Sequence, residues 1–185
     1  MPLDVGTLRI VHFPHPALLR KSEPVAAITP EVGAVARRMI ELMHEAEGVG
    51  LAAPQVGLPW RLFVADVPAN EDRSADLDPP TATLGPCIYI NPVLAEPEGP
   101  PEPAEEGCLS LPEIRGDVLR PPIISVTALD LEGRPFTRRA GGLLARCWQH
   151  ENDHLDGVLI IDKMNTMSRL RNRAAIRRLE RDADG

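Results

Sequence analysis

The stretch His150-Glu151-Asn152-Asp153-His154 places two imidazoles four residues apart, with a carboxylate directly after the first. That spacing calls for a helix. In an α-helix, residues i and i+4 share one face about a turn apart, so both rings can grip the same metal ion. Glu151 then lies about 100° round the helix, close enough to handle a proton beside the metal but badly placed as a ligand. The pattern supplies two ligands and a general base, the core of a metal-assisted hydrolase. It also arises by accident on solvated helices, so a third ligand is needed to decide between the two readings.

The chain is long enough for one good core: its 185 residues are 43% hydrophobic and 25% charged, as in ordinary globular domains. Its 20 prolines cluster without a repeat and predict long irregular connections. No apolar run approaches membrane-spanning length, and Met1 to Arg9 lacks the basic-then-apolar pattern of an export signal. Cys87, Cys108 and Cys147 form no CxxC pair and leave one over under any pairing, which fits a reduced, cytoplasmic setting. A net charge of −7 argues against wholesale nucleic-acid binding, DNA included. The sign is uneven, however. From Lys163 to Gly185 one Lys and six Arg face three acids, +4 locally against −11 elsewhere. A solvated helix face is the plain reading of that stretch, and a docking surface for an acidic partner is the other.

Thr29-Pro30-Glu31 reads as an N-cap followed by proline at the first helical position. Val32, Val35, Met39, Leu42, Met43 and Ala46 then recur at helical steps, predicting an amphipathic helix that ends at Gly48. Leu62-Phe63-Val64 and Cys87 to Ile90 are β-like runs separated by a polar surface loop, Pro68 to Pro86. Pro97 to Glu106 reads as a second loop, acidic and proline-rich. Ile123 to Leu129 and Arg134 to Arg138 flank Asp130-Leu131-Glu132-Gly133 as a hairpin. Gly141-Gly142 opens the helix that carries the two histidines, Asp156-Gly157 closes it, and a last helix runs from about Thr166 to Arg181. Strands fall between helices without βαβ alternation, so the expected class is α+β.

The third ligand is not one of the usual peptidase completions. In the pattern HExxHxxGxxH, Gly157 fits, but the third histidine position holds Ile160. A glutamate on a following helix would have to be Glu180, which lies on an arginine-rich, solvent-facing stretch. Cys147 shares a face with His150 but stands seven residues before His154, a rise of about 10 Å, and reads as a core thiol beside the site. Cys108, in Glu105-Glu106-Gly107-Cys108-Leu109-Ser110, comes from a separate segment and could approach from across the site. A buried inert thiol is the alternative there. His12, His15 and His44 match no ligand spacing.

Three segments in order, Gly48-Val49-Gly50-Leu51-Ala52-Ala53-Pro54-Gln55, Glu106-Gly107-Cys108-Leu109-Ser110 and Gln149-His150-Glu151-Asn152-Asp153-His154-Leu155, resemble the peptide deformylase family of bacterial type, from about Leu8 to Asp162. The resemblance implies mixed or antiparallel sheets packed around a central helix carrying the motif, with a C-terminal helix added. It also implies one catalytic domain over residues 1–165, with residues 166–185 a basic helix and tail appended. The reaction implied is hydrolytic removal of the N-formyl group from the initiator methionine of new polypeptides, releasing formate. By the same resemblance Cys108, His150 and His154 are metal ligands, Glu151 is the proton carrier, and Gln55 with the Leu109 N–H stabilises the oxyanion. Val49, Gly50, Glu106, Leu109, Leu143 and Cys147 are the expected substrate-pocket residues. Arg120 is placed near the pocket mouth, although the preceding Val118-Leu119 departs from the family's Val-Pro. A Cys and two His suit zinc on general grounds; the resemblance implies Fe2+ in the cell, with zinc, nickel or cobalt able to take the site. It also implies nascent formylmethionyl peptides as substrate and the ribosome as a partner of the C-terminal helix. A zinc peptidase and a metal-stabilised binding module are the competing readings.

Overall fold

The computed structural model describes residues 3–183. Its centre is a five-stranded sheet in the order β1-β2-β3-β6-β7, antiparallel at every pairing. The strands are β1 (Gly50–Ala52), β2 (Leu62–Ala65), β3 (Cys87–Glu98), β6 (Ile123–Leu129) and β7 (Pro135–Gly141). A separate two-stranded hairpin is formed by β4 (Glu102–Cys108) and β5 (Leu111–Arg120). Four α-helices complete the described chain: α1 (Pro30–Glu45), α2 (Gly142–Leu155), the single turn α3 (Ile160–Lys163) and α4 (Thr166–Ala183). The expected α+β class and the motif-bearing central helix are both present.

Two helices sandwich the main sheet, and β2 shows why its sequence is apolar throughout. Successive strand residues point to opposite faces. Leu62 and Val64 therefore pack with Val35, Met39 and Met43 of α1, while Phe63 and Ala65 pack with Leu144, Ala145 and Trp148 of α2. A third cluster holds the hairpin: Leu111, Ile114 and Val118 of β5 meet Leu159 to Met164, with Ala175, Ile176 and Leu179 of α4 packed against them.

Four details depart from the sequence reading. Helix α1 stops at Glu45, not at Gly48. Glu47 takes the left-handed position (φ 54°), and the Glu47 and Gly48 N–H groups bond back to the His44 and Met43 carbonyls, a Schellman cap without glycine at its left-handed residue. Gly48 instead packs closely against Leu109: a Cβ there would lie 2.8 Å from Leu109 Cδ1, so that side chain would have to shift. Second, β3 continues past Ile90 to Glu98 despite Pro92 and Pro97. Each proline follows a left-handed residue (Asn91, φ 50°; Glu96, φ 52°) inside an interruption of the β3–β6 register, where no ladder N–H is needed. Third, the stretch from Pro97 to Glu106 is not a loop: it contains the end of β3, a short turn and most of β4. Pro103 is accommodated because both strands of a two-stranded sheet are edges. Fourth, β5 and α3 had no counterpart in the sequence reading.

Candidate metal centre

Helix α2 begins where Gly142, at φ 53°, turns the chain out of β7. Its sheet-facing side is apolar, and the other side carries His150, Glu151 and His154. Across from them the turn Leu109–Ser110 joins β4 to β5 and presents Cys108. Cys108 Sγ stands 3.3 Å from His154 Nε2, which is itself 3.2 Å from His150 Nε2. Among the described residues this trio alone forms a group of three or more His, Cys, Asp or Glu donors converging within 4.8 Å. Tetrahedral coordination with metal–N and metal–S bonds of ordinary length separates its donors by about 3.3 to 3.6 Å, so the trio fits a divalent cation closely. Two Nε2 atoms in contact cannot both carry protons without repulsion, and a shared cation relieves that constraint. Cys147 is not in the trio: its buried thiol donates to the Val49 carbonyl.

The two rings are held differently. His150 Nδ1 meets Glu106 Oε2 at 3.0 Å, which directs Nε2 toward the cluster. His154 Nδ1 is buried without a partner among the described residues, so no carboxylate or carbonyl behind that ring fixes it as Glu106 fixes His150. Burial opposes a charged His150, but hydrogen bonds to Cys108 and Glu106 outweigh it and raise its pKa. For His154, burial and the neighbouring His150 both act to keep the ring neutral.

Glu106 is the hub of the polar support. Arg120 Nε and Nη2 donate to its two oxygens at 2.6 and 2.9 Å, and Arg146 Nη1 donates to Oε1 at 2.8 Å. Burial works against the Glu106 charge, yet Arg120 and His150 overcome it and hold the carboxyl well below the usual range. The remaining Arg120 nitrogen, Nη1, donates to Asp153 at 2.8 Å, and Asp153 also receives Lys163.

Two residues expected to contact substrate have their side chains engaged by other groups. Arg120 does not stand at a pocket mouth. It is 3% exposed, absent from the cavity lining, and has its guanidinium committed to Glu106 and Asp153. Glu106 does border the cavity, but Arg120, Arg146 and His150 occupy both its oxygens. Arg146 was not singled out by sequence. Its position one helical turn before His150, on the same face, was the available signal.

Glu151, 4% exposed, reaches the cavity with Oε2 unpartnered, and burial, partly offset by His150, pushes its pKa up to about 7. Gln55 is oriented by its own carbonyl oxygen, which accepts the Ala52 N–H at 2.9 Å. Its Nε2 therefore faces Ser110 Oγ (3.2 Å) and Cys108 Sγ (3.6 Å). Gly50 lies against Glu151, and a Cβ there would come within 2.8 Å of both Cys147 Sγ and Glu151 Cδ. These groups open onto a cavity of about 590 Å3, lined also by Val49, Leu109 and Leu143, a size suited to a small ligand or peptide segment. His15 caps a short turn, His44 pairs with Asp66, and His12 is exposed; none joins the site.

A family model described as polypeptide deformylase matches residues 7–170. The peptide deformylase of Opitutus terrae is 46% identical over 88% of this chain and 88% of its own length. That of Nitrosococcus oceani is 41% identical over 96% and 98%. The Plasmodium falciparum peptide deformylase crystal structure superposes with a TM-score of 0.84 at 35% identity, covering 95% of this chain and 97% of its own. For the Thermotoga maritima peptide deformylase structure the values are 0.75 and 40%, over 85% and 97%. With this donor cluster, carboxylate and cavity on a shared fold, the chain belongs to the polypeptide deformylase family, metal-dependent hydrolases that remove the N-formyl group from newly made polypeptides.

Proposed function

We propose that Cys108, His150 and His154 hold a divalent cation, and that Glu151, Gln55 and the Leu109 N–H carry out the hydrolysis beside it. The convergence of the three donors, with Cys108 and His150 lining the cavity that also receives the unpartnered Glu151 carboxyl, carries this reading. The cation, when bound, supplies Lewis acidity that brings a water's pKa toward neutrality and polarises the formyl carbonyl. Glu151 takes the proton of the attacking water at its carboxylate and delivers it to the departing amine nitrogen. Gln55 Nε2 and the Leu109 N–H donate to the oxygen that becomes negative as the formyl carbon turns tetrahedral. Gln55 is neutral, so it donates without competing for the proton.

The methionine side chain enters between Val49, Gly50, Leu109, Leu143 and Cys147. The following peptide adds to the outer edge of β4, which pairs with β5 alone among the described residues. Fe2+ is the proposed cellular metal, a choice carried by the family resemblance, and zinc, nickel and cobalt accept the same N/S donors. Residues 1–165 form the proposed catalytic unit, with 166–185 appended. No helix among the described residues is long and apolar enough to cross a membrane, and a cytoplasmic location is proposed. Formyl-Met-Ala-Ser and acetyl-Met-Ala-Ser, incubated with protein reconstituted anaerobically with each metal in turn, test the reading. Formate release without acetate release or internal cleavage is expected; equal release of both would overturn it.

Ribosomal RNA is the proposed partner of α4, which exposes Arg169, Arg173 and Arg177. Truncation is a poor test, because α4 also braces β5: Asn172 donates to the Arg115 carbonyl at 2.7 Å, and Ser168 Oγ accepts the Asp117 N–H at 3.1 Å. Replacing Arg173 and Arg177 by Glu leaves those contacts in place and should abolish a salt-sensitive cosedimentation with ribosomes. Unchanged cosedimentation would remove the proposal.

A further inference from the structure

Arg146 stands one turn before His150 on α2, and nothing in the reaction outlined above uses it. Its Nη1 donates to Glu106 Oε1 at 2.8 Å and to the Val118 carbonyl at 2.9 Å, while Nη2 donates to the Glu102 carbonyl at 2.9 Å. One side chain of the helix thus reaches both strands of the hairpin that carries Cys108. Neutralising Glu106 does not require it, because Arg120 already grips both carboxylate oxygens. What Arg146 adds is attachment, with one carbonyl on β4 and one on β5, each fixed to the rigid body that bears His150 and His154.

We infer that Arg146 is a positioning residue for the metal centre. It ties the β4–β5 hairpin to α2 and so sets where Cys108 Sγ stands relative to the two Nε2 atoms. The inference rests on the metal-site reading above. Cys108 lies two residues beyond Glu106 on the same strand, and its short side chain must come within 3.3 Å of His154 Nε2, which leaves little slack for a hairpin that shifts. Arg146 also borders the cavity, so the same tie fixes the spacing between the hairpin wall and the helix wall. An arginine serving only overall stability would leave the metal's ligand geometry unchanged.

The test loads the protein and its R146M and R146K variants with Co2+, reading affinity by chelator competition and ligand geometry by the thiolate-to-cobalt charge-transfer band. R146M keeps the stem without the donors. It should bind Co2+ about 10- to 100-fold more weakly, the range for lost support around metal ligands, with a weakened or shifted band. R146K keeps the charge but lacks the forked donor, and should fall between R146M and the parent. Parental affinity and an unchanged band in R146M would overturn the inference. Should R146M fail to fold, the same result in R146K would overturn it. A parent protein without the thiolate band would instead overturn the Cys108–His150–His154 site itself, so the two failures are told apart.

Discussion

Helix α2 and the β4–β5 hairpin deliver groups to the same point by opposite means. On the helix, covalent spacing does the placing: His150, Glu151 and His154 share one face because of helical pitch. On the hairpin nothing local places Cys108 or Glu106. Their positions depend on Arg120, on Arg146 and on His150, between 14 and 44 residues from Glu106 along the chain. On the proposed assignment the helix carries the proton chemistry, and the hairpin carries the electrostatic frame around it.

The largest expected effect lies on the helix side. Glu151→Gln should cut kcat by about 10^2- to 10^4-fold, the range for a lost general acid–base, while zinc content and thermal midpoint stay near parental values. A variant retaining a tenth or more of parental turnover would place the proton carrier elsewhere. The hairpin side should answer with stability. Glu106→Gln leaves buried Arg120 with Asp153 as its remaining ion-pair partner, and the cost should approach, without exceeding, the roughly 3–5 kcal/mol of a broken buried pair. Because the folded-state pKa of Glu106 lies below its unfolded value, the stabilisation from this carboxylate is fully present above about pH 4.5 and is lost as pH falls further. Urea unfolding of the metal-free protein between pH 6 and pH 3 should show the parent losing more stability than E106Q over that window. Parallel pH profiles would mean that the hairpin frame does not depend on ionised Glu106. The smallest effect belongs to the contact between β1 and α2. Gly50→Ala forces its new methyl against Cys147 and Glu151, and overpacking of this size costs about 1–3 kcal/mol. Its turnover should fall further than its zinc affinity, since Glu151 is displaced and the ligands are not. Equal falls in both would show that β1 also supports the ligands.

The same division explains what was legible in the sequence. Helix α2, the amphipathic α1, the β6–β7 hairpin and the C-terminal helix all announce themselves through spacing, caps or turn residues within a few positions. The frame does not. Pro92 and Pro97 argue against a long β3, and only the register interruptions they occupy make that strand viable. Glu105 and Glu106 read as a charged loop because the cations that neutralise Glu106 come from β5 and α2. Arg120 reads as a rim residue for the same reason: its burial depends on Asp153 and Glu106, which sequence proximity does not join to it. Gly48 was read as a helix stop, whereas its small size answers to Leu109, far along the chain.

The distance between Cys108 and His154 along the chain also governs how each molecule is made. During synthesis the thiol exists before its imidazole partners, and 46 residues separate it from the second of them. The brace behind the hairpin comes later still, since Asn172 is 57 residues beyond the Arg115 carbonyl it holds. A ribosome-bound chain that has just completed the hairpin therefore carries Cys108 before the two imidazoles that face it in the fold have been made. On the proposed metal assignment, the donor set is therefore complete only once the chain has passed His154, and its brace only after Asn172.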